Sequence, residues 1–194
     1  MTDEMTVLLQ KIDEAERNLD QAITDWRNEV KKSAKSRINR FSSKIRAEHG
    51  KLRRSLLAHL GSIRPQVWLT APFIYGLIVP LVLTDLAASL YQFVCFPIYG
   101  MRRARRADFV VIDRHRLGYL NALEKLNCVY CGYANGVIAY VREIASRTEQ
   151  YFCPIKHSVP MAGCHVRYRR FVDYGDAQGY RDRFAELRAR ASEP

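Results

Sequence analysis

VWLTAPFIYGLIVPLVLTDLAASLYQFVCFPIY, residues 67–99, decides how this chain is read: its 33 residues carry one charge, Asp85. About 20 apolar residues cross a bilayer as a helix. The stretch is too long for one upright span and too short for two full ones. Pro72, Pro80 and Pro97 interrupt it, with Gly76 and Thr84-Asp85 near its middle. Trp68, Tyr75, Tyr91 and Tyr99 sit toward its ends, as interfacial aromatics do. Arg102, Arg103, Arg105 and Arg106 follow it, and a lysine- and arginine-rich stretch precedes it. Basic flanks stay in the cytoplasm, so both ends are expected inside, joined by a re-entrant helical hairpin that turns near Thr84-Asp85. The alternatives are a single tilted span and a buried helix pair in a soluble core. A carboxylate in hydrocarbon is costly unless solvated or paired. That places Asp85 at the hairpin tip; the other reading makes it a functional intramembrane acid.

Working outward toward the N-terminus, the charge changes sign. Residues 1–30 hold eight acids and three bases, and residues 31–64 hold eleven bases and one acid, Glu48. Leu8, Ile12, Ala15, Leu19, Ala22, Trp26 and Val30 recur at alternating steps of four and three, a helical stripe close to a heptad seam. One amphipathic helix packed on its own protein explains it, and so does a coiled coil with another copy. The stripe continues through Ala34, Ile38, Phe41, Ile45, Leu52, Leu56, Leu60 and Ile63, now opposite a lysine and arginine face. Such a helix suits a layer of anionic headgroups; it could also track a nucleic-acid backbone. Gly50 is the place for a bend. The net charge of +11 points the same way, to an acidic surface. The first twenty residues are too acidic for a signal peptide. With an odd five cysteines, a reducing cytoplasmic setting is expected for the soluble parts.

Toward the C-terminus, residues 113–127 read as a helix capped by Asp113, and residues 137–150 as a second with the stripe Val137, Val141, Ile144, Thr148. A third is expected over residues 177–191. The fold class is therefore all-α: an amphipathic, coiled-coil-like helix over 1–64, a membrane hairpin or span over 65–100, and a cytoplasmic helical module over 101–194. Between the first two of these C-terminal helices lies a CxxC, Cys128 and Cys131; after the second comes a CxxxH, Cys153 and His157, with 21 residues between Cys131 and Cys153. Four such ligands suit tetrahedral Zn²⁺, with iron the alternative. The ion would staple both ends of the helix at 137–150, and Gly132 and Gly136 would allow the turn after the CxxC. Cys164 and His165 are reserve ligands. A redox CxxC or plain buried cysteines are the other readings, and Cys153-Pro154 matches a haem-regulatory dipeptide.

LNCVYCGYANG together with YFCPIKHS resembles a motif of uncharacterised bacterial membrane-associated proteins, over roughly residues 110–165. The resemblance implies membrane association and no particular activity. GxSxG, Walker A, HExxH and strand-borne GxGxxG signatures are absent from the sequence. The expected function is that of a non-enzymatic protein of the cytoplasmic membrane, with its soluble parts facing the cytoplasm. In this reading a structural zinc module binds a protein partner or organises a homo-oligomer on the bilayer. A zinc-finger-like nucleic-acid binder and a membrane redox protein using Cys128 and Cys131 are the rival classes.

Overall fold

A computed structural model of the chain describes residues 64–192 continuously, with scattered positions between 7 and 61. Two compact units emerge, Met1–Arg53 and Arg54–Pro194. In the first, the described positions from 7 to 33 are helical. Ala15, Leu19, Ala22, Trp26 and Val30 of the expected seam are exposed there. The basic stripe expected over 31–64 falls almost wholly outside the described residues.

The second unit is all-α; among its described residues extended pairing is limited to one isolated parallel bridge, Ile155 with Val172. Helix α1, Pro65–Gly76, starts on a proline at its first turn, and Arg64 before it is extended, as pre-proline residues are. Helix α2, Ile78–Ile98, follows after a single residue, Leu77. The offset has a local cause: Pro80 has no N–H to donate to the Gly76 carbonyl, and its ring crowds that carbonyl. Leu77 remains right-handed helical, so the two helices run on as one apolar element, Gln66–Ile98, about 50 Å long at 1.5 Å per residue. Thr84 and Asp85 lie inside α2. The hairpin turn expected there is thereby corrected, and Asp85 is mid-helix rather than at a tip.

Helix α3, Ala122–Phe152, is continuous over 31 residues. Asn121 caps it: its side chain accepts from the Glu124 N–H while the Glu124 carboxylate accepts from the Asn121 N–H. The two expected helices at 113–127 and 137–150 thus become one that starts nine residues after Asp113. Helix α4, Ala177–Ala189, matches its expected position and is capped by Asp176.

α1–α2 and α3 run parallel. Tyr75 bonds Asn127, Tyr133 reaches Asp85, Tyr91 meets Thr148, and Tyr99 packs on Tyr151 and Phe152. Parallel neighbours need a long crossover, and the segment after Tyr99 supplies it by running back along α3. Gly136 and Gly132 seat it. A Cβ at Gly136 would lie 2.8 Å from both the Phe109 carbonyl oxygen and the Val110 Cα, and one at Gly132 would lie 3.2 Å from the Val111 carbonyl oxygen. The two glycines, expected to open a turn, instead remove side chains where the backbone of this return segment crosses the helix. Phe96, Met101, Ala104, Tyr140, Ile144, Tyr151 and Ala191 form the core between these elements.

Candidate functional site

α2 is built inside out. The side chains it turns toward α3 and the return segment include Asp85 and Gln92, both buried, beside Phe96. The side chains it turns away are Leu83, Leu86, Leu90, Phe93 and Ile98, all more than 60% exposed, continuing Leu69 and Phe73 on α1. Gln66–Ile98 is long and apolar enough to cross a membrane. A helix that hides its polar groups in protein and shows its apolar groups outward is suited to a lipid environment on the outer side.

The hidden polar groups are fully engaged. The Arg106 guanidinium donates to both oxygens of Asp85 from Nε at 3.0 and 3.1 Å and from Nη2 at 2.7 Å, a bidentate pair. The Tyr133 hydroxyl donates to the same carboxylate at 3.0 Å. Two turns further on, Gln92 serves both backbone groups of Ala104: its Oε1 accepts from the N–H at 3.0 Å and its Nε2 donates to the carbonyl at 3.3 Å. Nε2 also bonds the Tyr140 hydroxyl, which has Ser89 as a further neighbour. The return segment lacks a regular ladder of its own, so these side chains satisfy its buried backbone.

A second polar cluster lies on the C-terminal half of α3. Glu143 accepts from Arg147 Nε at 2.8 Å and from both Arg167 Nη atoms at 2.8 and 2.9 Å. Burial pushes its carboxyl up, but the hydrogen bonds and charges of Arg167 and then Arg147 outweigh that and hold it below the usual carboxylate range. Arg147 also donates to the Arg102 carbonyl at 2.8 Å. Glu143 therefore links the return segment on one side to the 3-10 turn Val166–Arg170 on the other. His165 caps that turn: its Nδ1 accepts from the Tyr168 N–H, which leaves Nε2 as the protonated nitrogen facing Glu149 at 2.9 Å.

The expected metal ligands are spread along α3. Cys128 and Cys131 stand within the helix, one turn apart, and Cys153 is its C-cap. At 1.5 Å per residue Cys131 and Cys153 are about 33 Å apart along the axis, so a single ion cannot be held by Cys128, Cys131, Cys153 and His157 while the helix is continuous. The knuckle expected at Cys128–Gly132 is corrected to unbroken helix. His157 Nδ1 lies 3.1 Å from the Tyr168 hydroxyl, and its ring stacks on that tyrosine. Of the reserve ligands, the Cys164 thiol donates to the Met161 carbonyl, and His165 has both nitrogens occupied as above. Among the described residues no group of three or more His, Cys, Asp or Glu side chains is placed to hold a metal ion.

Comparison with protein families, with curated proteins and with solved structures finds no match for this chain.

Residues central to this arrangement that carry no signal in the sequence pattern are Gln92, Tyr133, Glu143 and Arg167. Asp85 stands out as a lone charge, but its partner is 21 residues downstream, and neither periodicity nor a motif links the two. The capping pair Asn121 and Glu124 is the one local signal that could have moved the start of α3 to its true place.

Proposed function

We propose that this chain is a membrane-associated, non-enzymatic helical protein. In this reading the outward face of α1–α2 meets lipid, and the module formed by α3, the turns after it and α4 is carried at that surface to bind a partner. One observation carries the reading: along Gln66–Ile98 most of the exposed side chains are apolar, while Asp85 and Gln92 are buried against protein beside Phe96. A soluble helix shows the opposite polarity. The exposed seam at Leu19, Ala22, Trp26 and Val30 is open to a second copy or a protein partner. The cytoplasmic membrane is the proposed location.

Cell fractionation tests this. The chain should sediment with membranes and come into solution only with detergent. Recovery in the soluble fraction without detergent overturns the proposal, and co-purification with nucleic acid in that fraction would put the basic stretches to the rival use.

A further inference from the structure

We infer that α1–α2 lies in the plane of an anionic bilayer surface, embedded by its outward face with Arg102, Arg103 and Arg105 on lipid phosphates, and does not cross the membrane. This rests on the membrane reading above and specifies its geometry and lipid class.

The return segment decides against a crossing. Arg106 is fixed to Asp85, which stands thirteen residues before Ile98, about 20 Å back along α2. Phe109, Val110 and Val111 then follow α3 as far as Gly132. This stretch is irregular, with two short 3-10 turns, Arg106–Asp108 and Arg114–Arg116. If α2 crossed the bilayer, this irregular backbone and its arginines would travel with it into hydrocarbon. Lipid-exposed irregular backbone does not occur there, and arginines at mid-bilayer are strongly disfavoured. Laid flat, the same unit keeps the return segment at headgroup level while Leu69, Phe73, Leu83, Leu86 and Leu90 reach the acyl boundary, as an interfacial helix does.

Charge selects the lipid. Arg102, Arg103, Arg105 and Arg106 are exposed, and Asp85, the acid nearest them on α2, is already paired with Arg106. The Arg103 guanidinium sits 5.5 Å from the ring centroid of Phe93, itself an outward residue. A positive charge therefore lies directly beside the embedded row, at the depth of the phosphates. Each arginine close to an anionic surface contributes about a five-fold gain in binding, so three contribute roughly 100-fold.

The test uses the full chain with vesicles of phosphatidylcholine, alone or mixed with phosphatidylglycerol. Co-sedimentation should favour the phosphatidylglycerol vesicles, and Arg102→Ala/Arg103→Ala/Arg105→Ala should weaken that binding roughly 100-fold. Arg169→Ala/Arg181→Ala, which removes exposed arginines outside the return segment, should weaken it far less. Depth is read independently from the tryptophans, of which the chain has two. Trp68 in a Trp26→Phe chain, and the Leu83→Trp position in a Trp26→Phe/Trp68→Phe chain, should both be quenched best by lipids brominated near the headgroup. Deep quenching at position 83 would mean a span and overturn the inference while leaving the membrane reading intact. Equal binding to both vesicle types, or equal losses in the two arginine variants, would overturn the headgroup assignment. Binding to neither vesicle type would overturn the membrane reading itself.

Discussion

Gly136→Ala is the sharpest probe of how the return segment is held. In an open helix the change gains about 1 kcal/mol, because alanine is the better helix former. Here the new methyl would stand 2.8 Å from the Phe109 carbonyl oxygen and 2.8 Å from the Val110 Cα. Both are backbone atoms, so no rotamer change relieves the overlap and the segment must move off the helix. Overpacking of this kind costs about 1–3 kcal/mol. The movement also draws on the bonds from Gln92 to Ala104 and from Arg106 to Asp85 that anchor the same segment. The net expectation is a loss of about 1–2 kcal/mol, or roughly 3–8 °C in thermal midpoint for a unit of this size. Circular dichroism at 222 nm during a thermal scan in mild detergent measures it. Gly76→Ala is the internal contrast: a Cβ there meets nothing within 4 Å, and the variant should be neutral or slightly stabilised. A midpoint for Gly136→Ala equal to or above wild type would refute the close approach of the return segment to α3.

Other expectations follow from the polar clusters and the cysteines. Asp85→Asn should weaken the hold on Arg106 and speed amide hydrogen exchange at Asp108–Val110, by roughly ten-fold for a loss of about 1–2 kcal/mol; unchanged exchange would mean the pair does not anchor the segment. Glu143 has a lowered value when folded, so its contribution is present above the usual carboxylate value of 4.5 and is lost as pH falls through the folded value. Acid destabilisation of wild type should therefore be steeper below that pH than in Glu143→Gln, and parallel profiles would remove the ion pairs from the account. Added Zn²⁺ should leave the 222 nm signal unchanged, because closing Cys128, Cys131, Cys153 and His157 on one ion requires α3 to break; stoichiometric zinc uptake with loss of helix would reinstate the four-ligand site.

The all-α class and α4 are legible in the sequence because they depend on local signals, helical periodicity and, over residues 177–191, a composition rich in Arg, Glu and Ala. The apolar character of residues 67–99 is legible too, for it is a property of composition. Whatever depends on a distant partner is not. An acid in an apolar run suggests exposure, and hence a turn at Asp85; its neutralisation by Arg106 is a tertiary fact. Gly132 and Gly136 suggest a break because glycine disfavours helix by about 1 kcal/mol, yet packing against the return segment outweighs that preference. The CxxC spacing is ambiguous for a similar reason: a three-residue step is the bite of a metal knuckle and equally one turn of an α-helix. With Gly132 and Gly136 helical, the two expected helices join into one and the four ligands stand too far apart to share an ion.

The parallel arrangement of α2 and α3 also sets a clock on synthesis. Arg106 and Ala104 emerge soon after Ile98, but Tyr133 and Tyr140, the partners that Asp85 and Gln92 take on α3, emerge roughly 35 and 42 residues after it, which takes about 2–8 s at ordinary elongation rates of 5–20 residues per second. During that interval α2 has the return segment beside it but lacks the cover of α3. The apolar helix is thus made well before the helix that covers its polar side.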